Sequence, residues 1–362
     1  MRRNLQRNLI TKIFLNISLL FAHSHHRMAR VSLRLMTLSV GITFSRAFHT
    51  SFFPNNALKR PKFLSNKLSM MSTGSGTLLD AISSSVSKSL GRTVSLQPSS
   101  GGGASGGSGA SISAVVDPET DAKYFIKSTS ISSGGSKMLY AEYLGVKEMA
   151  ETDSIKVPNP IAYGEGGPNN SAFVVFEYLQ FTGGGSGYEL GKQLAKMHRS
   201  SSPNDKGFGF HVDNTIGATP QPNLPWIQDW AKFWDTHRLG HMMKLCHDCG
   251  YSKDKVEKLR TKTKELLSHN PQPSLIHGDL WGGNKGYAKV IDSVVPVIFD
   301  PATYYGDREA DVAMTYLFGG FGTDFYEGYE EEWSLPEGHE KRRTVYNLYH
   351  ILNHVSTFIF YC

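Results

Sequence analysis

At 362 residues, 40% hydrophobic and 19% charged, the chain has the composition of a soluble globular protein and room for one large domain or two. Its formal charge of +6 misleads about partners: residues 1–79 hold twelve Lys and Arg and no acid, and the remaining 26 basic against 32 acidic residues leave the body near −6. That balance excludes a nucleic-acid partner bound through a basic face, and three cysteines are too few for a disulfide scaffold.

An acid-free, Arg-rich and Ser-containing N-terminus marks an organelle-targeting segment, so residues 1–74 are expected to be a leader. Met28–Ala47 has a basic start and a short apolar core, with Phe48 following Ala47. It resembles the two-part plastid leader of algae with secondary plastids, in which the cut falls just before a Phe, and a plastid is the expected compartment. Two alternatives stand beside it. Arg46-Ala-Phe-His-Thr-Ser51 also resembles a mitochondrial cleavage region, and a start at Met70 or Met71 would give a cytosolic product. No apolar run approaches the roughly 18 residues needed to span a bilayer, so no membrane partner is expected of the mature form. His23-Ser-His-His26 lies inside the leader, and Cys246-His-Asp-Cys249 has no second pair to complete a zinc site.

Along the body, Thr77–Leu90 reads as a short amphipathic helix and Val94–Ser128 as strands interrupted by a Gly/Ser loop at residues 99–111. Tyr124-Phe-Ile-Lys127 is a β-prone run ending in lysine, and Met138–Ala150 a helix carrying Glu142 near its middle. After Pro158 and Pro160, Ala172–Leu179 is an apolar strand, closed by the break at Gly183–Gly187. From Tyr188 the pattern turns helical, with Leu190, Leu194 and Met197 at i, i+4 and i+7. Further helices are expected over Trp226–Leu245, Lys253–Ser268, Arg308–Phe318 and Lys341–Phe358, with short strands at Ser274–His277 and Pro296–Asp300. This predicts an α+β, two-lobed, protein-kinase-like fold. Residues 75–179 would form a small antiparallel-sheet N-lobe and residues 180–362 a mainly helical C-lobe.

The two short strands bracket the chemistry. His277-Gly-Asp279-Leu-Trp-Gly-Gly-Asn284, followed by Asp300 at a strand end, is the layout of a phosphotransferase site. Phosphoryl transfer needs one carboxylate to orient and deprotonate the attacking hydroxyl, and oxygen ligands to hold Mg²⁺ against the phosphates. Asp279 is assigned as general base, and Asn284 and Asp300 as metal ligands. His277 precedes the base and suits a role in shaping the loop. Asp311, in the acid-rich start of a helix, either serves the helix dipole or braces the catalytic loop. Lys127 with Glu142 matches the pair that orients the ATP α- and β-phosphates. Glu177, Tyr178 and Leu179 would form the hinge that reads adenine. The Gly/Ser loop has no Gly-Lys-Ser/Thr ending, which excludes a Walker A element. Either its backbone N–H groups around Gly102 and Gly103 cover the phosphates, or it is a flexible insertion in a hairpin.

Further stretches carry a family resemblance: Phe208-Gly-Phe-His-Val-Asp-Asn-Thr-Ile-Gly217, Trp230-Ala-Lys-Phe-Trp-Asp-Thr-His-Arg-Leu239, His277–Asn284, Asp300-Pro-Ala-Thr-Tyr-Tyr-Gly306 and Leu348–His354. Through them, residues 77–354 resemble the fructosamine/ketosamine 3-kinases, relatives of aminoglycoside phosphotransferases. The resemblance implies ATP-dependent phosphorylation of the 3-hydroxyl of ketosamines on glycated proteins, with Asp279 taking the proton and Lys127 and Glu142 holding ATP. It also implies Trp281 and the Trp230/Trp234 segment on the sugar side, ribulosamine as the favoured acceptor, and a monomer or weak dimer. A small-molecule kinase of the aminoglycoside or choline type, and a silent ATP-binding module, are the alternatives. Two departures stand out. The phosphate loop lacks the cysteine that some members use for redox-sensitive dimerisation. Val355–Cys362 reads as an apolar tail where the family continues into a further helix, which points to a truncated product.

Overall fold

The computed structural model describes residues 76–99, 104–105 and 110–360. The leader, His23–His26, Met70, Met71, Gly102 and Gly103 lie outside the described residues. Gly76–Gly103 and Ser108–Cys362 form one compact unit. Met1–Ser75 and Ala104–Gly107 cluster separately, and of these only the two-residue strand Ala104–Ser105 is described.

Helix α1 (Leu78–Leu90) starts at a reciprocal cap: Thr77 accepts from the Asp80 amide, and the Asp80 carboxylate accepts from the Thr77 amide at 2.6 Å. Gly91, in the left-handed region, ends it. Its apolar face, Ile82 and Val86, lies on an antiparallel sheet of β1 (Gln97–Pro98), β2 (Ser111–Val116), β3 (Lys123–Ser130), β4 (Pro160–Gly166) and β5 (Ser171–Glu177). The strands run in the order β1-β2-β3-β5-β4. Tyr124, Ile126, Phe173 and Val175 join Ile82 and Val86 in one core. Because side chains alternate across a strand, Lys127 leaves β3 on the opposite face. Helix α2 (Gly135–Glu151) packs against β3, β4 and β5 and carries Glu142.

The rest of the unit is mainly helical. Helix α3 (Gly187–His198) is capped by Ser186 and buries Leu190, Leu194 and Met197, the stripe its spacing predicted. A small hairpin, β6 (Asn214–Ile216) with β7 (Thr219–Gln221), follows. The helix expected from Trp226 begins only at Trp230, where Asp229 caps α4 (Trp230–Phe233), because Ile227 is drawn into backbone bonds with Phe208. It continues through a π-helical stretch, Trp234–Leu239, into α5 (Gly240–Leu245). Helix α6 (Lys253–Leu266) is exposed over most of its surface.

Strand β8 (Ser274–Ile276) pairs antiparallel with β11 (Tyr304–Gly306), Leu275 opposite Tyr305. Between them lies a hairpin, β9 (Lys285–Val290) with β10 (Ser293–Ile298), in which Lys285 faces Ile298. Helices α7 (Glu309–Leu317), α8 (Thr323–Glu332) and α9 (His339–Phe360) complete the unit. The expected apolar tail is instead the end of α9, which runs on as helix to Phe360. Among the described residues no helix is long and apolar enough to cross a membrane. A small antiparallel sheet joined to a mainly helical part is the two-lobed, protein-kinase-like architecture expected.

Candidate active site

The three predicted phosphotransferase residues stand at the ends of short paired strands. Asp279 follows β8, Asn284 immediately precedes β9 and Asp300 comes two residues after β10. The two ladders therefore bring together side chains that are up to 21 positions apart in sequence. Asn284 is the centre of the group. Its Nδ2 donates to the Asp279 carbonyl at 2.9 Å, to Asp279 Oδ2 at 3.2 Å and to the Asp300 carbonyl at 3.3 Å. The nitrogen is thereby fixed toward the loop backbone, and the oxygen of the same amide faces away from these partners. Asp300 sits at φ 57°, an uncommon backbone region for a residue with a Cβ and one that concentrates at functional sites.

Lys127 reaches this group from the sheet. Its Nζ is 2.6 Å from Glu142 Oε1 and 2.5 Å from Asp300 Oδ1. Burial works against its charge, yet Asp300 and Glu142 outweigh burial and hold the ammonium above its ordinary value. Burial raises the Glu142 carboxyl, with Lys127 opposing. Burial and then the charge of Asp300 hold the Asp279 carboxyl well above the usual carboxylate range. A general base works best when its pKa approaches the working pH, and Asp279 is shifted in that direction.

A carboxylate and an amide oxygen are hard donors of the kind magnesium takes alongside phosphate oxygens and water. The Asn284 amide oxygen and the Asp300 carboxylate, beside Asp279, fit that ion. Asn284 and Asp300 would hold it, and it would neutralise charge on the phosphates.

The loop carrying Asp279 is held from beneath by Asp311 on α7. Its Oδ2 accepts from the His277 amide at 2.6 Å and its Oδ1 from the Gly278 amide at 2.8 Å. Of the two roles open to Asp311, the loop brace is the one its contacts show. His277 is buried and neutral: burial lowers its pKa, Nδ1 accepts from the Asp279 amide at 3.2 Å and Nε2 donates to the Phe299 carbonyl at 2.9 Å. It ties the strand before the base to the strand end before Asp300. Gly278 has φ 80°, and a Cβ there would lie 2.2 Å from the Ala302 carbonyl oxygen, so no larger residue fits.

Three further residues contribute that the sequence did not single out. Asn214 Nδ2 donates to the Thr303 carbonyl at 2.8 Å, and Gln221 Nε2 to the Ala302 carbonyl at 3.0 Å. The β6–β7 hairpin thus carries the backbone just beyond Asp300. Glu148 on α2 accepts from the Tyr305 hydroxyl at 2.7 Å and pairs with His211 at 3.2 Å. Nearby, Gly145 lets α2 approach Thr303, where a Cβ would meet the threonine Oγ1 at 2.7 Å. The signal for Asn214 was present in Asp213-Asn-Thr-Ile-Gly217, read only as a family mark.

At the expected hinge, the Glu177 amide donates to the Asn159 carbonyl at 2.9 Å and the Tyr178 amide to the Lys123 carbonyl at 3.2 Å. The Glu177 carboxylate pairs with Lys156 at 2.6 Å. Leu179 packs with Ala288 and Val297 as an apolar patch. Trp281 is half-buried, its ring over Gly283. The expectation for Trp230 and Trp234 is corrected: both are at most 2% exposed, stacked among Phe208, Phe233, Tyr346 and Tyr349, and they cannot touch a sugar. Aromatic side chains at i, i+3 and i+4 form one helix face, and here that face is core.

The fold and site together define a phosphotransferase of the protein-kinase-like class. A sequence model of the fructosamine kinase family matches residues 79–360. A probable ketoamine kinase of Synechocystis sp. is 43% identical over 247 residues, covering 67% of this chain and 80% of that protein. A chloroplastic protein-ribulosamine 3-kinase of Arabidopsis thaliana is 43% identical over 245 residues, 66% of this chain and 73% of that one. A crystal structure of a putative fructosamine-3-kinase from Haemophilus somnus superposes with a TM-score of 0.66 at 29% identity, covering 77% of this chain and 91% of its own. The chain belongs to the fructosamine kinase family and is an ATP-dependent ketosamine kinase.

Proposed function

We propose that the protein is a magnesium-dependent protein-ribulosamine 3-kinase, which phosphorylates the sugar 3-hydroxyl of lysine-bound ketosamines so that the adduct can leave the protein. In this reading Asp279 takes the hydroxyl proton, Asn284 and Asp300 hold Mg²⁺, and Lys127, kept in place by Glu142, binds the ATP phosphates. Glu177, Tyr178 and Leu179 line the adenine side, with Gly102 and Gly103 over the phosphates and Trp281 toward the acceptor. The observation that carries it is the unbroken run of hydrogen bonds from Lys127 to Asp300, from Asp300 to Asn284 and from Asn284 to Asp279. Acceptor choice is supported by the likeness to plant proteins named as ribulosamine kinases.

A panel of ribulosylated, fructosylated and erythrulosylated lysozyme, choline and an aminoglycoside, each with Mg²⁺ and ATP, tests it. Preferred turnover of the ribulosylated protein is expected. Turnover of choline or the aminoglycoside alone would replace this reading with a small-molecule kinase, and no turnover with any acceptor would leave a silent nucleotide-binding module. We place the protein in plastids, with residues 1–74 as leader, 75–179 as the nucleotide lobe and 180–362 as the catalytic lobe. The N-terminal sequence of the mature protein, read by mass spectrometry, distinguishes that compartment from a start at Met70 or Met71.

A further inference from the structure

Asp311, which holds the catalytic loop, is itself held by residues that come from three helices or their ends. His198, the last residue of α3, places Nε2 3.2 Å from Asp311 Oδ2 and Nδ1 2.8 Å from the Tyr329 hydroxyl of α8. Arg308, the cap of α7, donates from Nη1 to the same hydroxyl at 3.2 Å. It also donates to the Trp333 and Ser334 carbonyls beyond α8, at 2.9 and 2.5 Å. His198, Tyr329 and Asp311 are each at most 1% exposed.

The donors and acceptors in this set admit one direction. Arg308 can only donate, so the Tyr329 oxygen accepts from it. Asp311, a carboxylate already accepting from two backbone amides, can only accept, so His198 must carry its proton on Nε2. Burial keeps the imidazole neutral, which leaves Nδ1 without a proton and makes the Tyr329 hydroxyl its donor. The chain therefore runs Arg308 to Tyr329 to His198 to Asp311, and meets there the His277 and Gly278 amides beside the base.

We infer that His198 and Tyr329 are positioning residues, which orient Asp311 so that the backbone of residues 277–279 presents the Asp279 carboxylate correctly to the acceptor hydroxyl. They touch neither substrate nor metal. Their effect on turnover rests on the kinase reading above, and their effect on the loop does not. A relay of this kind acts through orientation, so its loss lowers kcat and leaves both KM values near their wild-type level.

The test compares the full chain with Tyr329→Phe, His198→Asn and His198→Gln. Phenylalanine keeps the ring and removes the donor. Asparagine reaches only the Nδ1 position and loses Asp311, whereas glutamine sets its amide nitrogen near Nε2 and keeps that bond. Amide exchange of Leu275–Leu280 is expected to quicken about tenfold in His198→Asn, which loses Asp311, and about threefold in Tyr329→Phe and His198→Gln, which each lose the bond between residues 329 and 198 and keep the one to Asp311. With ribulosylated lysozyme, kcat follows the same order, falling about tenfold in His198→Asn and about threefold in the other two, with both KM values within about twofold. Unchanged exchange in the loop of Tyr329→Phe overturns the inference, as does a glutamine variant no better than the asparagine one. If the wild type phosphorylates no ketosamine, the acceptor reading falls and the exchange comparison still decides the relay.

Discussion

Lys127 Nζ stands 2.5 Å from Asp300 Oδ1, joining a strand of the sheet to a residue of the catalytic half. The same ammonium holds Glu142, so one buried cation balances two carboxylates. Lys127→Ala leaves Glu142 buried beside Asp300 with no cation between them, an arrangement that costs far more than an exposed pair. Turnover is expected to fall at least ~10²-fold, with a raised KM for ATP, the phosphate ligand being lost. Steady-state kinetics on folded protein decide it, and an unaltered KM for ATP would remove Lys127 from the phosphate side.

Asp279→Ala removes the proposed base and leaves Lys127 and Asp300 in place. The expected loss in kcat is ~10² or more, the scale for removing a general base, with ATP affinity close to wild type by calorimetry. A variant that turns over at the wild-type rate would take Asp279 out of the chemistry.

Asp300→Asn keeps the shape of the side chain and removes its charge. Half-saturation by Mg²⁺ is expected to shift to higher concentration, since carboxylate charge sets affinity for hard divalent cations. A metal titration superimposable on wild type would count against Asp300 as a ligand.

Acid should weaken the fold before it dissolves the site. Burial lowers the pKa of His198, His277 and His354 and brings His350 to about 3, so these imidazoles stay neutral in the native state. The unfolded chain protonates them near pH ~6.5, and below that it binds more protons than the native state. Their contribution is thus complete above pH ~6.5 and is lost as pH falls toward the lowered native values. Asp311, whose carboxyl is held below the usual range, adds a further loss in more acid solution. Tm should hold from pH 7.5 to about pH 6.5 and fall from there to pH 5, and a flat profile would contradict the neutral histidines.

Trp230 and Trp281 should part company. Trp230 is 2% exposed and donates from Nε1 to the Tyr346 hydroxyl at 3.0 Å. Trp230→Ala is expected to cost ~3–5 kcal/mol of stability, the range for emptying a buried aromatic site. Trp281→Ala should leave Tm within a few degrees and raise KM for the ketosamine. The reverse pattern, from chemical denaturation and kinetics, would restore Trp230 to the substrate side.

The meeting of Asp279, Asn284 and Asp300 was legible because these residues are close in sequence and lie at strand ends, so their spacing alone brings them together. Lys127 and Glu142 were legible for a similar reason, one strand and the next helix. Helix α8 was not: Thr323–Glu332 offers only Phe325 and Tyr329 as an apolar stripe and contains Gly328, too weak a pattern to separate from loop. The β9–β10 hairpin was seen only in its second strand, since Lys285-Gly-Tyr-Ala-Lys has little β signal before pairing. The brace beneath the base was invisible in spacing, because His198 and Asp311 are 113 residues apart and meet only when α3, α7 and α8 pack.

Helix α2 is secured at both ends of its reach: Glu142 to Lys127, and Glu148 and Gly145 to Tyr305, His211 and Thr303. An outward swing would break all of these contacts together. The lysine–glutamate pair is therefore assembled as the chain folds. Strand and helix thus meet at the lysine in a single arrangement, fixed once the chain has folded.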